Sequence, residues 1–483
     1  MAAAAQLFHD GVGDARALVG GDGDPHGASI AAAGIVGAVG TDSLEADILA
    51  AGHELAAALP SSRGPLKALD DKAMDLASQD AELRAALFRF VDVVPACRDL
   101  DDLARHLTGF LHEIPDRPPP LQVAMRMGAS RAGRTALGAA AAAGVKHMAH
   151  RFIVGQTPRD ATEVLRELWS EGVASSVDLL GEMTVTSAEA DRYAARCADA
   201  LDGLAEVYAR LPERAALERD GYGPLPRVNL SVKVSALTPL LRPDAPELGK
   251  RDASGRLREL LRHARSVDAH LHIDMESFDS REAITDLVLE LLAEDEFRDG
   301  PSAGTVLQAY LRDSPELAER LVTWARAHPR AHPLVVRLVK GAYWYHEVVE
   351  ARQHGWVAPV FEVKAESDRN FEALTRVLLD ARPAVRVAVA SHNLRSVAHA
   401  VAYNRRLGAG DGDVEIQVLR GLGDDLQHAL ATSGLRVRTY CPVGDLVAGM
   451  AYLVRRLLEN TSNESFLVEQ AGGRPLDELL AAP

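Results

Sequence analysis

After residue 150 the chain repeats one unit eight times, a short run of aliphatic and β-branched residues followed by a stretch with helical spacing. The runs are Ser175 to Leu180, Val228 to Val234, Leu271 to Met275, Val306 to Tyr310, Val335 to Val339, Val385 to Ala390, Glu415 to Leu419 and Val437 to Tyr440. Between them lie helical patterns such as Ser187 to Arg210, Pro315 to Ala327 and Phe371 to Leu379. Strands that alternate with helices pair in parallel, and eight such units predict a sheet closed on itself, an α/β fold of the (β/α)8 TIM-like type. An open, doubly wound sheet is the alternative architecture. No G-x-G-x-x-G follows the first run, which disfavours a dinucleotide-binding sheet.

The first 150 residues read differently. They are alanine-rich and helix-favouring, broken by Gly20 to Gly27 and by Pro115 to Pro120, with helices expected over Ser43 to Leu59, Leu66 to Phe90 and Leu100 to Leu111. The expected organisation is therefore an N-terminal α-helical extension over 1–150, a barrel over 151–467 and a tail over 468–483. A length of 483 residues allows for one large barrel plus such an extension.

A formal charge of −16 argues against a broad nucleic-acid footprint, while leaving room for local arginine clusters that hold small anions. Cys97, Cys197 and Cys441 are odd in number and lack metal-site spacing, so neither a disulfide framework nor a structural metal is expected, and a reducing interior is the default. The start M-A-A-A-A-Q-L-F-H-D has no signal-peptide pattern, and Ala136 to Val145 is too short to span a bilayer. A cytoplasmic location is expected, and surface contact with the inner face of a membrane stays open.

In a closed barrel the C-terminal ends of the strands converge on one face. Here those ends carry Glu182, Lys233, Asp274 with Glu276, Gln308, Arg337 with Lys340, His392 with Asn393, Gln417 and Tyr440. One such residue is ordinarily a turn or cap; all eight ends together point to a shared pocket. The stretch Arg337 to Trp344, R-L-V-K-G-A-Y-W, ends a strand in positive charge, a glycine that permits close approach and two aromatic faces, as the edge of a cofactor site would. Snorkelling bases and core aromatics account for it equally well. Near the end, Tyr452, Arg455, Arg456 and Glu459 fall on one side of a helix otherwise apolar, preceded by Pro442, Gly444 and Asp445. Two adjacent arginines are costly to bury without an anion, and a carboxylate ligand would meet that cost through bidentate pairing; a surface ion pair with Glu459 is the plainer account. His392 is open to reading as a metal ligand, a general base or a satisfied core histidine; with no partner at metal-ligand spacing, metal is the weakest of these, and a polar contact to a cofactor suits it better.

Taken together these motifs resemble the proline dehydrogenase domain of the proline utilization A family. They are D-L-L-G-E (Asp178 to Glu182), S-V-K-V-S-A-L (Ser231 to Leu237), H-I-D-M-E (His272 to Glu276), Q-A-Y (Gln308 to Tyr310), R-L-V-K-G-A-Y-W, S-H-N (Ser391 to Asn393), Y-C-P-V-G (Tyr440 to Gly444) and Y-L-V-R-R-L-L-E-N (Tyr452 to Asn460). The resemblance implies a distorted (β/α)8 barrel that binds FAD and oxidises L-proline to Δ1-pyrroline-5-carboxylate by hydride transfer, with a quinone as the next electron acceptor. It implies that Arg455 and Arg456 grip the substrate carboxylate with help from Lys233, that Glu182 holds the arginine pair, and that Tyr440, Tyr452 and Leu419 wall the substrate ring. Asp274 would sit near both substrate and flavin, and Arg337 beside the reactive edge of the flavin. Met275, Gln308, Val339, Lys340, Gly341, Ala342, Tyr343, Trp344, His392, Asn393, Gln417 and Glu459 would supply the remaining cofactor contacts.

One segment departs from the family pattern. F-E-V-K-A-E-S-D (Phe361 to Asp368) has Glu362 and Ser367 where threonines are expected, so only Lys364 is carried over to the adenylate half of FAD. Many members continue into an aldehyde dehydrogenase half; no such pattern follows here, so this chain is expected to carry out the first oxidation only, beside a separate or fused pyrroline-5-carboxylate dehydrogenase. No basic ribbon-helix-helix start is visible. Two rival functions remain at this stage, a barrel lyase in which Lys233 forms a Schiff base, and a scaffold that binds a partner through its alanine-rich helices.

Overall fold

The computed structural model describes residues 41–60, 81–114, 122–123, 125–126, 130–181, 183–445, 449 and 473–483. The chain divides into residues 1–41 and 42–483, and the barrel belongs to the second unit. Eight parallel strands close on themselves: β1 (Val173–Leu179), β2 (Val228–Lys233), β3 (Ala269–Asp274), β4 (Ser302–Gln308), β5 (Leu334–Val339), β6 (Val385–Ala390), β7 (Glu415–Leu419) and β8 (Arg436–Val443). Closure is made by β1, which pairs with β2 on one side and β8 on the other. The closed barrel settles the choice against an open sheet.

All eight predicted runs are strands, but several begin earlier than their branched residues. β4 starts at Ser302 rather than Val306, and β3 at Ala269 rather than Leu271. The added residues are small or polar, and tertiary pairing recruits them: His270 pairs with Ser302 and His272 with Gly304 across the two strands. Gly304 is needed there, since a Cβ would stand 2.6 Å from the His272 ring.

The strands alternate with period two. Val177, Leu230, Val232, Leu271, Ile273, Val336, Leu338, Val387, Val389, Ile416, Val418 and Val437 join one large apolar cluster with helix residues such as Leu201, Leu204, Leu257 and Leu261. The intervening residues turn inward and are mostly polar. Ser176, Ser231 and Asp274 all bond to Arg337 across the barrel. The apolar core is thus a shell between strands and helices, where each fully buried aliphatic side chain contributes about 1.5–3 kcal/mol, and the lumen is a separate polar compartment.

The N-terminal region contributes α1 (Thr41–Ala57), α2 (Ala81–Val93), α3 (Leu100–His112) and α4 (Arg131–Phe152). The expected helices over 43–59 and 100–111 correspond to α1 and α3; much of the one expected over 66–90 lies outside the described residues, as do Gly20 to Gly27 and Pro115 to Pro120. The expected division at residue 150 falls inside α4. Helix α5 (Thr162–Ser170) leads into β1, and α6 (Ser187–Tyr208) follows it, started by a capping box between Thr186 and Glu189. Then come α7 (Pro246–Ser266), α8 (Phe278–Leu292), α9 (Ser314–Ala327), α10 (Trp344–His354), α11 (Lys364–Asp380), α12 (Leu394–Arg406) and α13 (Asp424–Thr432), with the short α14 (Leu476–Leu479) near the C-terminus. Two short strands, Arg219–Asp220 and Gly223–Pro224, form a hairpin just before β2. No described helix is long and apolar enough to cross a membrane.

Helix α1 is docked on α12 rather than held apart from the barrel. Ile48, Ala51 and Leu55 enter the main apolar cluster together with Leu479 and Leu480. Arg395 is almost buried and holds three segments at once: Glu45 on α1, Glu372 on α11 at 2.8 Å and the Leu480 carbonyl at 2.8 Å. Glu54 pairs with Arg405 at 2.8 Å and Asp47 with Arg406 at 3.0 Å. Arg395→Ala would leave Glu372 buried without its counter-charge, so it should lower the unfolding free energy by about 3 kcal/mol, whereas Glu45→Gln at the exposed side should cost about 1 kcal/mol. Denaturant unfolding of the two variants checks the ordering, and equal losses would refute the burial argument.

Candidate active site

Parallel register brings the predicted residues to one level at the C-terminal mouth. Lys233 lies beside Asp274, and Leu419 beside Tyr440. Asp274 then joins three strands: it accepts from Arg337 Nη1 at 2.6 Å and from Tyr440 Oη at 2.8 Å, and its other contact is Lys233 Nζ at 3.5 Å. The Arg337 guanidinium spends four of its five N–H groups here, donating also to Gln417 Oε1 at 2.7 Å and to Ser176 Oγ and Ser231 Oγ at 3.2 Å each. Its Cζ stands 5.4 Å from the centre of the Tyr440 ring, within cation–π range. Gln417 spends both ends of its amide inside the protein, since Nε2 donates to Glu415 at 2.7 Å.

Lys233 has a second acid that the motif reading passed over. Its Nζ donates to Asp178 Oδ1 at 2.5 Å, and Asp178 is buried on β1. Burial alone would push the Lys233 ammonium down, but Asp178 and then Asp274 hold it above the ordinary lysine value. A signal for Asp178 was present, as an aspartate cannot sit in a fully buried strand without a cation. A Schiff-base lysine needs a neutral amine, which this pairing opposes.

The turn after β5 forms a second cluster. Gly341 has φ +137°, and a Cβ there would stand 2.3 Å from the Tyr310 ring. What Gly341 allows to come close is therefore Tyr310, a residue of this chain. Ala342 is exposed, while Tyr343 and Trp344 pack on Tyr310, Leu311, Val348 and Val360. The Trp344 indole N–H donates to the Phe361 carbonyl at 2.8 Å, so this aromatic is in part a packing residue, as the plainer account held. Lys340 and Lys364 are joined by Asp368, which pairs with Lys340 and accepts from Lys364 at 2.7 Å. Burial lowers the Lys340 ammonium below its usual value; burial raises the Asp368 carboxyl, but Lys340 and Lys364 bring it below the carboxylate range. Glu362, the charge that departs from the family pattern, lies 3.3 Å from Arg352, and Ser367 is buried on α11. Neither α10 nor α11 has a side-chain cap at its N-terminus.

Around the rest of the mouth, Gln308 Nε2 donates to the Glu276 carbonyl at 2.9 Å, while Gln308 Oε1 is buried with no partner among the described residues. Met275 is buried at the end of β3, and Val339 ends β5 beside Gln308. His392 Nε2 accepts from the Leu419 backbone N–H at 2.8 Å, which puts the proton of the neutral ring on Nδ1. Asn393 caps α12, its Oδ1 accepting from Ser396 N at 3.0 Å. Glu182, Tyr452, Arg455, Arg456 and Glu459 lie outside the described residues.

The chain matches the family model described as proline dehydrogenase over residues 161–469, and the proline utilization A N-terminal domain over residues 45–152. It is 33% identical over 344 residues to the bifunctional protein PutA of Salmonella typhimurium, an alignment that covers 70% of this chain and 25% of that relative. Proline dehydrogenase 1 of Bacillus subtilis subsp. natto is 27% identical over 330 residues, covering 68% of this chain and 92% of the relative. Among solved structures, proline utilization A from Bdellovibrio bacteriovorus inactivated by N-propargylglycine superposes with a TM-score of 0.83 at 34% identity, over 91% of this chain and 44% of that one. The chain thus spans about a quarter of the PutA relative it matches. With that family model matched over residues 161–469, the chain belongs to the proline dehydrogenase family.

Proposed function

We propose that this chain oxidises L-proline to Δ1-pyrroline-5-carboxylate with FAD as its cofactor and a quinone as the next electron acceptor. The observation that carries the reading is the Asp274 junction, which holds one ammonium and one guanidinium in fixed positions at the barrel mouth next to an aromatic ring. Family membership supports the reaction class. In this reading residues 1–150 are an N-terminal helical extension, 151–467 are the catalytic unit and 468–483 are the tail; a pyrroline-5-carboxylate dehydrogenase, separate or fused, takes the product.

The donor set suits a flavin dinucleotide. Gln308 Oε1 is an orphaned buried acceptor, fit for a ring N–H. Lys340 and Lys364 share a single carboxylate, so one positive charge is left over for a pyrophosphate beside the uncapped N-terminus of α11. Met275, Arg337, Val339, Gly341, Ala342, Tyr343, Trp344, His392, Asn393, Gln417, Asp274 and Glu459 complete the proposed cofactor contacts. FAD, when bound, supplies the hydride acceptor.

The task left to the protein is placement. Lys233 has three N–H donors and gives its strongest to Asp178, leaving it able to serve the substrate carboxylate together with Arg455 and Arg456, which Glu182 would hold in place. Leu419, Tyr440 and Tyr452 enclose the apolar ring. Tyr440 cannot rotate freely, because its hydroxyl donates to Asp274. Asp274 accepts from Arg337 and Tyr440 and lies 3.5 Å from Lys233, and Lys233 is held protonated, so neither offers an available base for the substrate amine. The amine must arrive unprotonated from solvent.

Two outcomes follow from these arrangements. The purified protein should be yellow, with its visible absorption bleached by L-proline under anaerobic conditions; borohydride trapping of a carbonyl substrate on Lys233 would instead establish the lyase. The pH profile of kcat/KM should rise with the fraction of neutral free amino acid. Since the Lys233 pKa is raised, its ammonium persists as pH increases and should cause no descending limb below the ordinary lysine value of about 10.4. A bell-shaped profile with a descending limb near pH 8 that disappears in Lys233→Met would contradict that assignment.

A further inference from the structure

The opposite end of the lumen is charged but not neutral. Arg386 on β6, Glu415 on β7 and Arg436 and Arg438 on β8 are all buried there, and Asp220 of the hairpin is buried with them. Asp220 accepts from Arg386 Nη2 at 3.0 Å through one oxygen and from Arg436 Nη1 at 3.1 Å through the other. Glu415 Oε1 accepts from Arg438 Nε at 2.9 Å, while Glu415 Oε2 is 3.8 Å from Arg436 Nε, too far for a hydrogen bond. Among the described buried side chains there, three guanidiniums therefore face two carboxylates; the partly exposed Asp413 accepts from the hairpin's Gly221 N at 2.6 Å. The layer above supplies these arginines with no partner: Lys233 and Arg337 are matched there by Asp178 and Asp274, and Glu276, past the end of β3 at the mouth, acts on Lys233. His270 and His332 add no charge of either sign, being kept neutral first by burial and then by neighbouring arginines.

The hydrogen-bond inventory shows the same deficit. Arg386 Nε, Arg386 Nη1 and Arg436 Nε are buried and have no hydrogen-bond partner among the described residues. Guanidinium groups are always charged, so they cannot relieve the strain by losing a proton. Water could satisfy these N–H groups, but it would leave the excess charge, and an unpaired buried charge is far more costly than an unpaired neutral polar group. We infer that the base of the barrel holds a small monovalent anion, of the halide or nitrate class, between Arg386 and Arg436. The site is independent of the catalytic reading, since it lies at the closed end of the lumen and uses none of the residues assigned to substrate or FAD.

Bromide is the probe. Full-length protein exchanged into gluconate should gain a saturable rise in thermal midpoint, on the order of 4 °C, when bromide replaces gluconate at constant ionic strength. In Arg386→Met two arginines would face two carboxylates, and that rise should vanish. Should this variant not fold, wild-type crystals grown in bromide still decide the matter: an anomalous peak is expected within hydrogen-bond distance of Arg386 and Arg436. Density there with no anomalous signal, or a midpoint that responds to ionic strength and not to the identity of the anion, overturns the inference.

Discussion

The carboxylate of Asp274 is the contact on which the mouth of this barrel depends. It binds a guanidinium from β5 and a phenol from β8 and neighbours an ammonium from β2, so strands far apart in sequence are fixed to one another through a single side chain. A lumen lined by charge is tolerable only if each charge meets its opposite. At the mouth Lys233 meets Asp178 and Arg337 meets Asp274, and both acquire defined positions as a result.

The same alternation of residues has two products. Facing outward, the strands are aliphatic and bind the ring of helices; facing inward, they carry serines, histidines, acids and bases. The fold and the chemistry therefore occupy different faces of the same strands, separated by one residue in sequence. A large side chain on the outer face bears on stability, whereas an inner one bears on the electrostatics of the lumen.

Much of the architecture was legible because barrel strands bury both faces and leave compact apolar runs between amphipathic helices. The strand starts were not, because Ala269, Ser302 and Ala303 have no intrinsic extended preference and are recruited by pairing. Lys233, Asp274, Arg337, Gln417 and Tyr440 were read from strand ends and do converge. Asp178 was passed over although it lay inside a quoted motif. Gly341 was read as clearance for a cofactor, and the clearance is used by Tyr310, some thirty residues earlier, a contact that local sequence does not reveal. The arginines at the base did leave a trace, since Arg436 and Arg438 alternate with Val437 and Thr439, but a run judged by its apolar content hides such residues. The Arg395 junction left none, because its partners lie in three separate segments and one of them, Glu45, is 350 positions away.

That separation has a consequence for how the chain comes into being. Glu45 and Arg395 are 350 residues apart, so at a synthesis rate of roughly 5–20 residues per second α1 emerges from the ribosome on the order of half a minute before its docking site exists. Throughout that interval the stripe of Ile48, Ala51 and Leu55 has nothing native to cover it. The seating of α1 should therefore be a late step of maturation, made onto strands and helices that have already come together.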